Sequence, residues 1–256
     1  MKDLFDTSNV FDTPKPPELI QRCMELGGIE DGDTIVDFFS GSAATAHASM
    51  NLCSEKDLKS KWILVQIPEV LDEKAEARQF GLSSICDLGE ERIRRAGEKI
   101  KAEVDKANEQ LELGAEPKPV PDIGFRVLRV DESCLKDEYA TPEQYEQAAL
   151  DLFADNATED ALPVDLLFQV LPAFRIEYSA KIAEREIGGK ACFDVNDGQL
   201  IACFDEDVDT VALEAIAKER PLYAVFRDAC FSNDATVANL EELFKTFSPD
   251  TIRKVI

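Results

Sequence analysis

Histidine occurs once in the 256 residues, as His47, and tryptophan once, as Trp62. A histidine-rich metal site is thereby excluded, and no metal ligands are expected. The seven cysteines, Cys23, Cys53, Cys86, Cys134, Cys192, Cys203 and Cys230, are odd in number, widely spaced and form no C-x-x-C pair. Several sit in apolar runs, so they read as reduced core residues of an intracellular protein rather than a disulfide framework. Bases are scarce: 28 Lys and Arg stand against 52 Asp and Glu, for a net charge of −24. A surface this acidic repels phosphate backbones and does not by itself present a broad nucleic-acid face. No leader-like apolar segment opens the chain and no run approaches membrane-spanning length, so a cytoplasmic protein without membrane contact is expected.

Three motifs are also missing. There is no G-x-x-x-x-G-K-[ST], no G-x-G-x-x-G and no G-x-S-x-G, which argues against a phosphate-loop nucleotidase, a nicotinamide oxidoreductase and a serine hydrolase.

What is present centres on residues 34–50. An apolar, β-branched run ends at Asp37, breaks at Ser40-Gly41-Ser42 and resumes as a helix of small residues. Strand, tight turn and helix direct backbone N–H groups at a ligand, and in open α/β sheets ligands bind at the carboxyl ends of strands. The spacing fits an ordinary buried βα unit equally well.

The remaining pattern is that of an α/β protein. Prolines at 14, 16 and 17 open a helix that Gly27-Gly28 closes. Strands are expected over 34–39 and 61–67, the second continuous enough for a sheet covered on both faces. Helices are expected from 42 or 43 to 52, over 71–79, and from 87 or 88 to about 110, with 84–86 a short extended piece. The proline-rich stretch 111–122 reads as a linker, and 124–130 alternates as a strand does. Thr141-Pro142-Glu143-Gln144 is a capping box opening a helix to about 153. Beyond it, helices are expected over 163–171, 210–219 and 236–247. Strands are expected over 175–178, 185–187, 190–195, 200–204, 221–226 and 251–256, with a hairpin turn at Asn196-Asp197-Gly198. This divides the chain into a domain over 1–115 and a second, separate α/β domain over 120–256.

Asp37 and Glu69, each following a strand, are the informative acids. An acid after the second strand of a nucleotide-binding fold accepts from ribose hydroxyls, and one ending the first can accept from an ammonium. Both also fit solvated strand ends. His47 has no identifiable partner, and packing outweighs catalysis as its role. The basic run 92–99 reads as a solvated helix flank paired with Glu90, Glu91 and Glu98 rather than a phosphate site.

A resemblance rests on the motifs in order. Phe11-Asp12-Thr13-Pro14-Lys15-Pro16, then Asp37-Phe38-Phe39-Ser40-Gly41-Ser42 with Thr45-Ala46-His47-Ala48, then residues 63–69 ending Gln66-Ile67-Pro68-Glu69, then Arg92-Ile93-Arg94-Arg95-Ala96-Gly97 look like the cofactor-binding half of the modification subunit of type III restriction–modification systems. Residues 122–133 and 225–231 resemble that family's C-terminal region. The resemblance implies a partial Rossmann-like S-adenosylmethionine-dependent DNA adenine-N6 methyltransferase followed by a domain for assembly or partner contact. It further implies Phe11, Asp12, Thr13, Lys15, Asp37, Phe38, Phe39, Gly41, Ser42, Gln66 and Glu69 as cofactor-binding residues. DNA, a restriction subunit and a possible homodimer mate are the implied partners of the intact enzyme. The family's catalytic D-P-P-Y-type loop and target-recognition domain are not found in the 256 residues, so no catalytic residue is assigned and the chain alone is expected to be inactive. An assembly or dimerisation module is the rival reading.

One departure stands out. After the first Gly-Ser the family usually continues Gly-Thr-Thr, and here it reads Ala43-Ala44-Thr45. If the first of these positions needs a positive φ, alanine costs on the order of 1 kcal/mol there. Ala44 also lacks the hydroxyl that threonine would offer.

Overall fold

The computed structural model describes residues 2–7, 10, 11, 13–111, 115–135, 157, 158, 160–231 and 234–256. The chain forms two compact units, Met1–Arg126 and Val127–Ile256, of mixed α/β character.

The first unit is built from α1 (Lys2–Phe5), α2 (Pro17–Leu26), β1 (Thr34–Asp37), α3 (Ala44–Lys56), β2 (Lys61–Leu64) and α4 (Ile85–Glu109). β1 and β2 pair in parallel, with Val36 opposite Ile63 and Asp37 opposite Leu64. Both strands half-bury alternate residues. Ile35 packs with Ala48 and Leu52 of α3 and Met24 of α2. Trp62 and Leu64 pack with Ala46 and Met50 of α3 and Ile93 and Ile100 of α4. The apolar stripe of α4, read from its period, is thus the face that meets α3.

Several expectations fail for local reasons. The helix over 71–79 is absent. The Asp72 carboxylate accepts from the Lys74 N–H (2.8 Å) and its carbonyl from the Ala75 N–H (3.0 Å), a turn that competes with helix. Only a 3-10 turn over Glu76–Phe80 follows. α4 begins two residues early because Ser84 and Asp87 form a reciprocal capping box. The Ser83 hydroxyl, with the N–H groups of Ser83 and Ser84, holds the Asp87 carboxyl at about 2. Ser84 itself bridges to Val70, but Ile85 and Cys86 are helical. Residues 124–130 form no strand and pair with none among the described residues. Of their apolar residues only Phe125 packs inward, its ring 6.2 Å from that of Trp62 on β2, and Ile123 just before them would lie 3.0 Å from a Cβ on Gly97 of α4, while Val127, Leu128 and Val130 are exposed.

The second unit holds α5 (Pro163–Val170), β3 (Ile182–Ile187), β4 (Lys190–Val195), β5 (Leu200–Cys203), α6 (Thr210–Lys218), β6 (Tyr223–Phe226), α7 (Asp234–Phe247) and β7 (Ile252–Val255). The strands form one sheet in sequence order. β3, β4 and β5 are antiparallel neighbours, and β5, β6 and β7 are parallel. One face packs on Leu213 and Ile216 of α6 and Leu240 and Phe244 of α7. The other packs on Leu166, Leu167 and Val170 of α5. Coverage on both sides leaves every residue of β5 buried. Asn196, Asp197 and Gly198 all take positive φ in the turn between β4 and β5. The strand expected over 175–178 is absent: Arg175 is left-handed after a 3-10 turn, and Ala180 closes a further turn on the Glu177 carbonyl. The helix expected over 141–153 lies outside the described residues.

All seven cysteines are free. Cys53, Cys192, Cys203 and Cys230 are buried, but Cys23 is exposed on α2 and Cys86 and Cys134 are half-buried, so the reading of all seven as core residues is corrected. Among the described residues no helix is long and apolar enough to cross a membrane, and no cluster of His, Cys, Asp and Glu is built to hold a metal.

Candidate functional site

The carboxyl end of β1 leads into a tight, internally braced turn. The Asp37 carboxylate accepts from the Thr45 hydroxyl (2.5 Å) and from the Phe39 N–H (3.2 Å). One side chain therefore ties the strand end to the first turn of α3. Two bonds leave lone pairs on both oxygens for a further donor. The Asp37 carbonyl accepts from the Val65 N–H (2.8 Å) and the Val65 carbonyl from the Ser40 N–H (3.3 Å), so the parallel pairing runs on past both strands.

Gly41 and Ala43 have φ of 51° and 57°. The Gly41 N–H donates to the Gln66 Oε1 (2.8 Å), and the Gln66 Nε2 donates to the Ile67 carbonyl (3.1 Å). Gln66 is thereby engaged at both ends of its amide and acts as a brace under the turn. A Cβ on Gly41 would reach ordinary contact with the Phe11 ring at 3.9 Å. This places Phe11, from the stretch before α2, beside the turn.

Ala43 supplies the left-handed residue immediately before α3, with no side-chain cap. Its methyl is buried against α4: a Cβ on Gly89 would meet the Ala43 Cβ and the Gly41 carbonyl, each at 3.4 Å. A glycine in α4 is what lets that helix come close to the turn. Nothing in the local pattern of residues 85–92 flags Gly89 for this role.

Arg92 corrects the reading of the basic run as wholly solvated. Its side chain is fully buried. Its Nη1 donates to the Ser42 Oγ (2.8 Å) and carbonyl (3.2 Å), while Nε and Nη2 have no hydrogen-bond partner among the described residues. Burial pushes its pKa down to about 10. Arg94 and Arg95 do pair along the helix with Glu90 and Glu91. The single signal that separates Arg92 from them is its place on the apolar stripe, one residue before Ile93. His47, one turn into α3, has a buried Nδ1 without a hydrogen-bond partner among the described residues. Burial, then the charge of Arg92, holds its pKa at about 4, so it is neutral near pH 7.

Of the eleven residues assigned from the motifs, the structure joins Asp37, Phe39, Gly41 and Gln66 by hydrogen bonds and sets Ser42 and Phe11 against the same turn. Phe38 and Phe39 are exposed. Thr13 and Lys15 are exposed, and no hydrogen bond links their side chains to the turn among the described residues. Glu69 is exposed after β2; its backbone accepts from the Ile85 N–H (2.9 Å) and its side chain is open to solvent. Asp12 lies outside the described residues.

The arrangement offers a carboxylate at a strand end, a turn with two positive-φ residues, a flanking aromatic ring and an exposed acid after the neighbouring strand. Those groups suit a ligand with an ammonium or hydroxyl donor and an apolar portion.

Residues 2–92 match the family model described as DNA methylase. The chain is 35% identical over 151 residues to the type III restriction-modification enzyme StyLTI Mod subunit of Salmonella typhimurium, covering 59% of this chain and 20% of that protein. It is 31% identical over 154 residues to the EcoP15I Mod subunit of Escherichia coli (57% and 22%). To the EcoPI Mod subunit of Escherichia phage P1 it is 29% identical over 155 residues (54% and 22%). The chain spans about a fifth of the length of these curated relatives.

Proposed function

We propose, from the premise that this chain is kin to part of a type III modification subunit, that its first unit is the S-adenosylmethionine-binding portion of a Rossmann-like DNA adenine-N6 methyltransferase. The observation that carries the reading is the Asp37 clamp: a carboxylate at the strand end, oriented by Thr45 and the Phe39 N–H, with lone pairs to spare beside a backbone turn.

The residues present fit the methyl donor. Asp37 accepts from its ammonium. The Gly41–Ala43 backbone, with no side chain at Gly41, leaves room for the methionine portion, and Phe11 supplies an apolar wall at 3.9 Å from where a Gly41 Cβ would stand. Glu69, free in solvent, takes the ribose hydroxyls, and the stretch from Phe11 to Lys15, Asp12 and Thr13 included, lines the methionine end. Ser42 and Gln66 fix the turn through Arg92 and the Gly41 N–H, and Phe38 and Phe39 flank it. When bound, the cofactor supplies an electrophilic methyl group on a sulfonium, destined in the intact enzyme for the amino nitrogen of a flipped adenine. No D-P-P-Y-type tetrapeptide occurs in the 256 residues. The chain by itself therefore transfers no methyl group. In the intact enzyme its partners are DNA and a restriction subunit, and the acidity of this chain leaves DNA affinity to the rest of that enzyme.

Calorimetric titration of S-adenosylmethionine into the chain and into Asp37→Ala tests the site. Binding by the wild-type chain and at least about tenfold weaker binding by the variant, the worth of one charge-assisted hydrogen bond, is the expected result. Equal binding by both, or none by either, overturns it. A second reading, in which the chain is chiefly an assembly module, is favoured by the self-contained sheet of the second unit. Light scattering of the whole chain decides it: a stable dimer supports that reading and a monomer removes homodimerisation.

A further inference from the structure

Two cysteines of the second unit stand directly opposite one another: Cys192 on β4 is the cross-strand neighbour of Cys203 on β5. Gly188 and Gly189, both of positive φ, form a two-residue turn between β3 and β4, so Ile187 and Lys190 face each other as a hydrogen-bonded pair. Residues 190, 192 and 194 then aim their backbone groups at β3, and residues 191, 193 and 195 aim theirs at β5. The Ala191 N–H follows this rule and donates to the Asp205 carboxylate (2.9 Å) just beyond β5. Cys192 and Cys203 are therefore a non-hydrogen-bonded pair, the closer of the two antiparallel kinds, with Cα atoms about 4.5 Å apart. Both side chains are buried on the face that packs against α6 and α7.

That spacing lies within the span of a disulfide, and the two thiols already touch. The Cys192 S–H donates to the Cys203 sulfur, which holds the Cys203 thiol below the ordinary thiol range and pushes that of Cys192 up. Cys203 is thus the sulfur that ionises first, and the thiolate is the nucleophile. The third thiol of this core, Cys230, donates to the Cys203 carbonyl (3.6 Å), and burial pushes its pKa up to about 12. Its sulfur is turned to a backbone oxygen and stays protonated. Cys203 is the last residue of β5, and the loop that follows it exposes Glu206 and Asp207. Opening of one surface loop, rather than of the sheet, therefore gives access to the pair. The acids of that loop repel anionic oxidants and leave passage to a small neutral one.

We propose that Cys192 and Cys203 are a site of reversible oxidation, joined by hydrogen peroxide into a disulfide that ties β4 to β5. The Cys203 thiolate attacks one peroxide oxygen. The O–O bond breaks, a sulfenic acid forms on Cys203, and the other oxygen leaves as hydroxide, which the proton given up by Cys203 turns into water. The Cys192 sulfur then attacks the Cys203 sulfur. The S–S bond forms, the S–O bond breaks, and the departing hydroxide takes the Cys192 proton as a second water. Two thiols lose two electrons and two protons, and one peroxide gains them and becomes two waters. A small dithiol reverses the step by exchange. The cross-link closes only the β4–β5 hairpin, at the short end of the spacing that a disulfide accepts, which suits a labile bond rather than a permanent one. The inference belongs to the second unit and does not depend on the methyl-donor reading of the first.

The test treats the whole folded chain with hydrogen peroxide, quenches it with acid, alkylates the remaining thiols after unfolding and maps the peptides by mass spectrometry without reduction. A linked pair of peptides holding Cys192 and Cys203 is expected, lighter by two hydrogens than the two free peptides together, and dithiothreitol is expected to restore both thiols. Cys192→Ser removes the second sulfur, so Cys203 is expected to stop at the sulfenic acid and to be captured by dimedone. Cys203→Ser is expected to give no dimedone adduct at Cys192, and Cys230→Ser to form the cross-link as the wild-type chain does. Near-UV circular dichroism checks that each variant keeps the fold, and the wild-type map decides the cross-link whether or not a variant folds. The proposal is overturned by the absence of a Cys192–Cys203 link in the folded chain, by a link that forms only once the chain is unfolded, by one in which Cys230 replaces either partner, or by dimedone capture at Cys192 in Cys203→Ser.

Discussion

The two units solve the same problem with unequal completeness. The five strands of the second unit lie between α5 on one face and α6 and α7 on the other. The two strands of the first are covered once, with valine, isoleucine and phenylalanine open on the far side. The polar interior differs in the same direction. Every buried side-chain nitrogen without a hydrogen-bond partner among the described residues, on His47, Arg78 and Arg92, belongs to the first unit. Such groups are costly in an interior that exists only for stability. The contrast teaches that the second unit encloses its sheet on both faces, while the first leaves one sheet face and several buried nitrogens without a partner among the described residues.

The largest effect expected from this contrast comes from truncating equivalent apolar residues in each sheet. Phe226 on β6 is fully buried, with the Phe231 and Phe244 rings at 5.8 and 6.2 Å. Phe226→Ala removes a large ring from a closed core and is expected to cost about 3–5 kcal/mol. Val36→Ala, on the bare face, is expected to cost less than about 1 kcal/mol. Urea unfolding followed by hydrogen-exchange mass spectrometry measures both and assigns the loss to β5–β7 or to β1–β2. A cost at Val36 matching that at Phe226 would mean that the face is covered in solution.

Next in size is a pH effect confined to the first unit. His47 is held neutral, its pKa lowered from 6.5 to about 4. A base with a depressed folded-state pKa leaves stability intact above pH 6.5. As the pH falls from 6.5 to about 4, the unfolded chain binds the proton and the folded chain does not, so stability is lost. The full loss is up to about 3 kcal/mol. His47→Gln removes this dependence while keeping a polar side chain. Urea unfolding at several values between pH 7 and 4.5 is expected to show the wild-type chain losing stability relative to the variant. Parallel curves would show that the imidazole is not desolvated.

Much of this was legible in the residues, and the failures have a common cause. Strand–turn–helix at 34–50 follows from β-branched periodicity broken by Ser40-Gly41-Ser42, a local signal. So do the hairpin at 196–198 and most of the second unit. The lost helix at 71–79 reflects an Asp72 side chain that bonds its own backbone, a competition that a charged, helix-prone composition conceals. Residues 124–130 alternate as a strand does but find no partner strand among the described residues, and Phe125, with Ile123 just before them, packs on β2 and α4 instead, a tertiary choice that periodicity does not encode. At the site, Asp37 was visible because a strand end is a sequence position. Arg92 and Gly89 were not, because they act on the turn from fifty residues away and are defined only once α4 lies against it. The bare face of β1 and β2 ran against expectation in an instructive way: a run apolar enough for two covered faces has one of them open.

The smallest effect tests the turn between β1 and α3 of the first unit. Gly41 and Ala43 both take positive φ, at 51° and 57°, so the alanine that departs from the family pattern does occupy a position that favours glycine. A left-handed alanine is strained by about 1 kcal/mol. Yet the Ala43 methyl is buried between α3 and α4, and burying one methyl contributes about 0.8 kcal/mol. The two nearly cancel, so Ala43→Gly is expected to lie within about 0.5 kcal/mol of the wild-type chain. Gly41→Ala has no such offset: its new methyl meets only the Phe11 ring at 3.9 Å, and the strain is expected to appear as a loss of about 1 kcal/mol. Thermal unfolding of the two variants side by side measures the difference. A clear gain from Ala43→Gly would show that the methyl is poorly packed and that the turn is held strained by Arg92 and Gln66 rather than relieved by its neighbours.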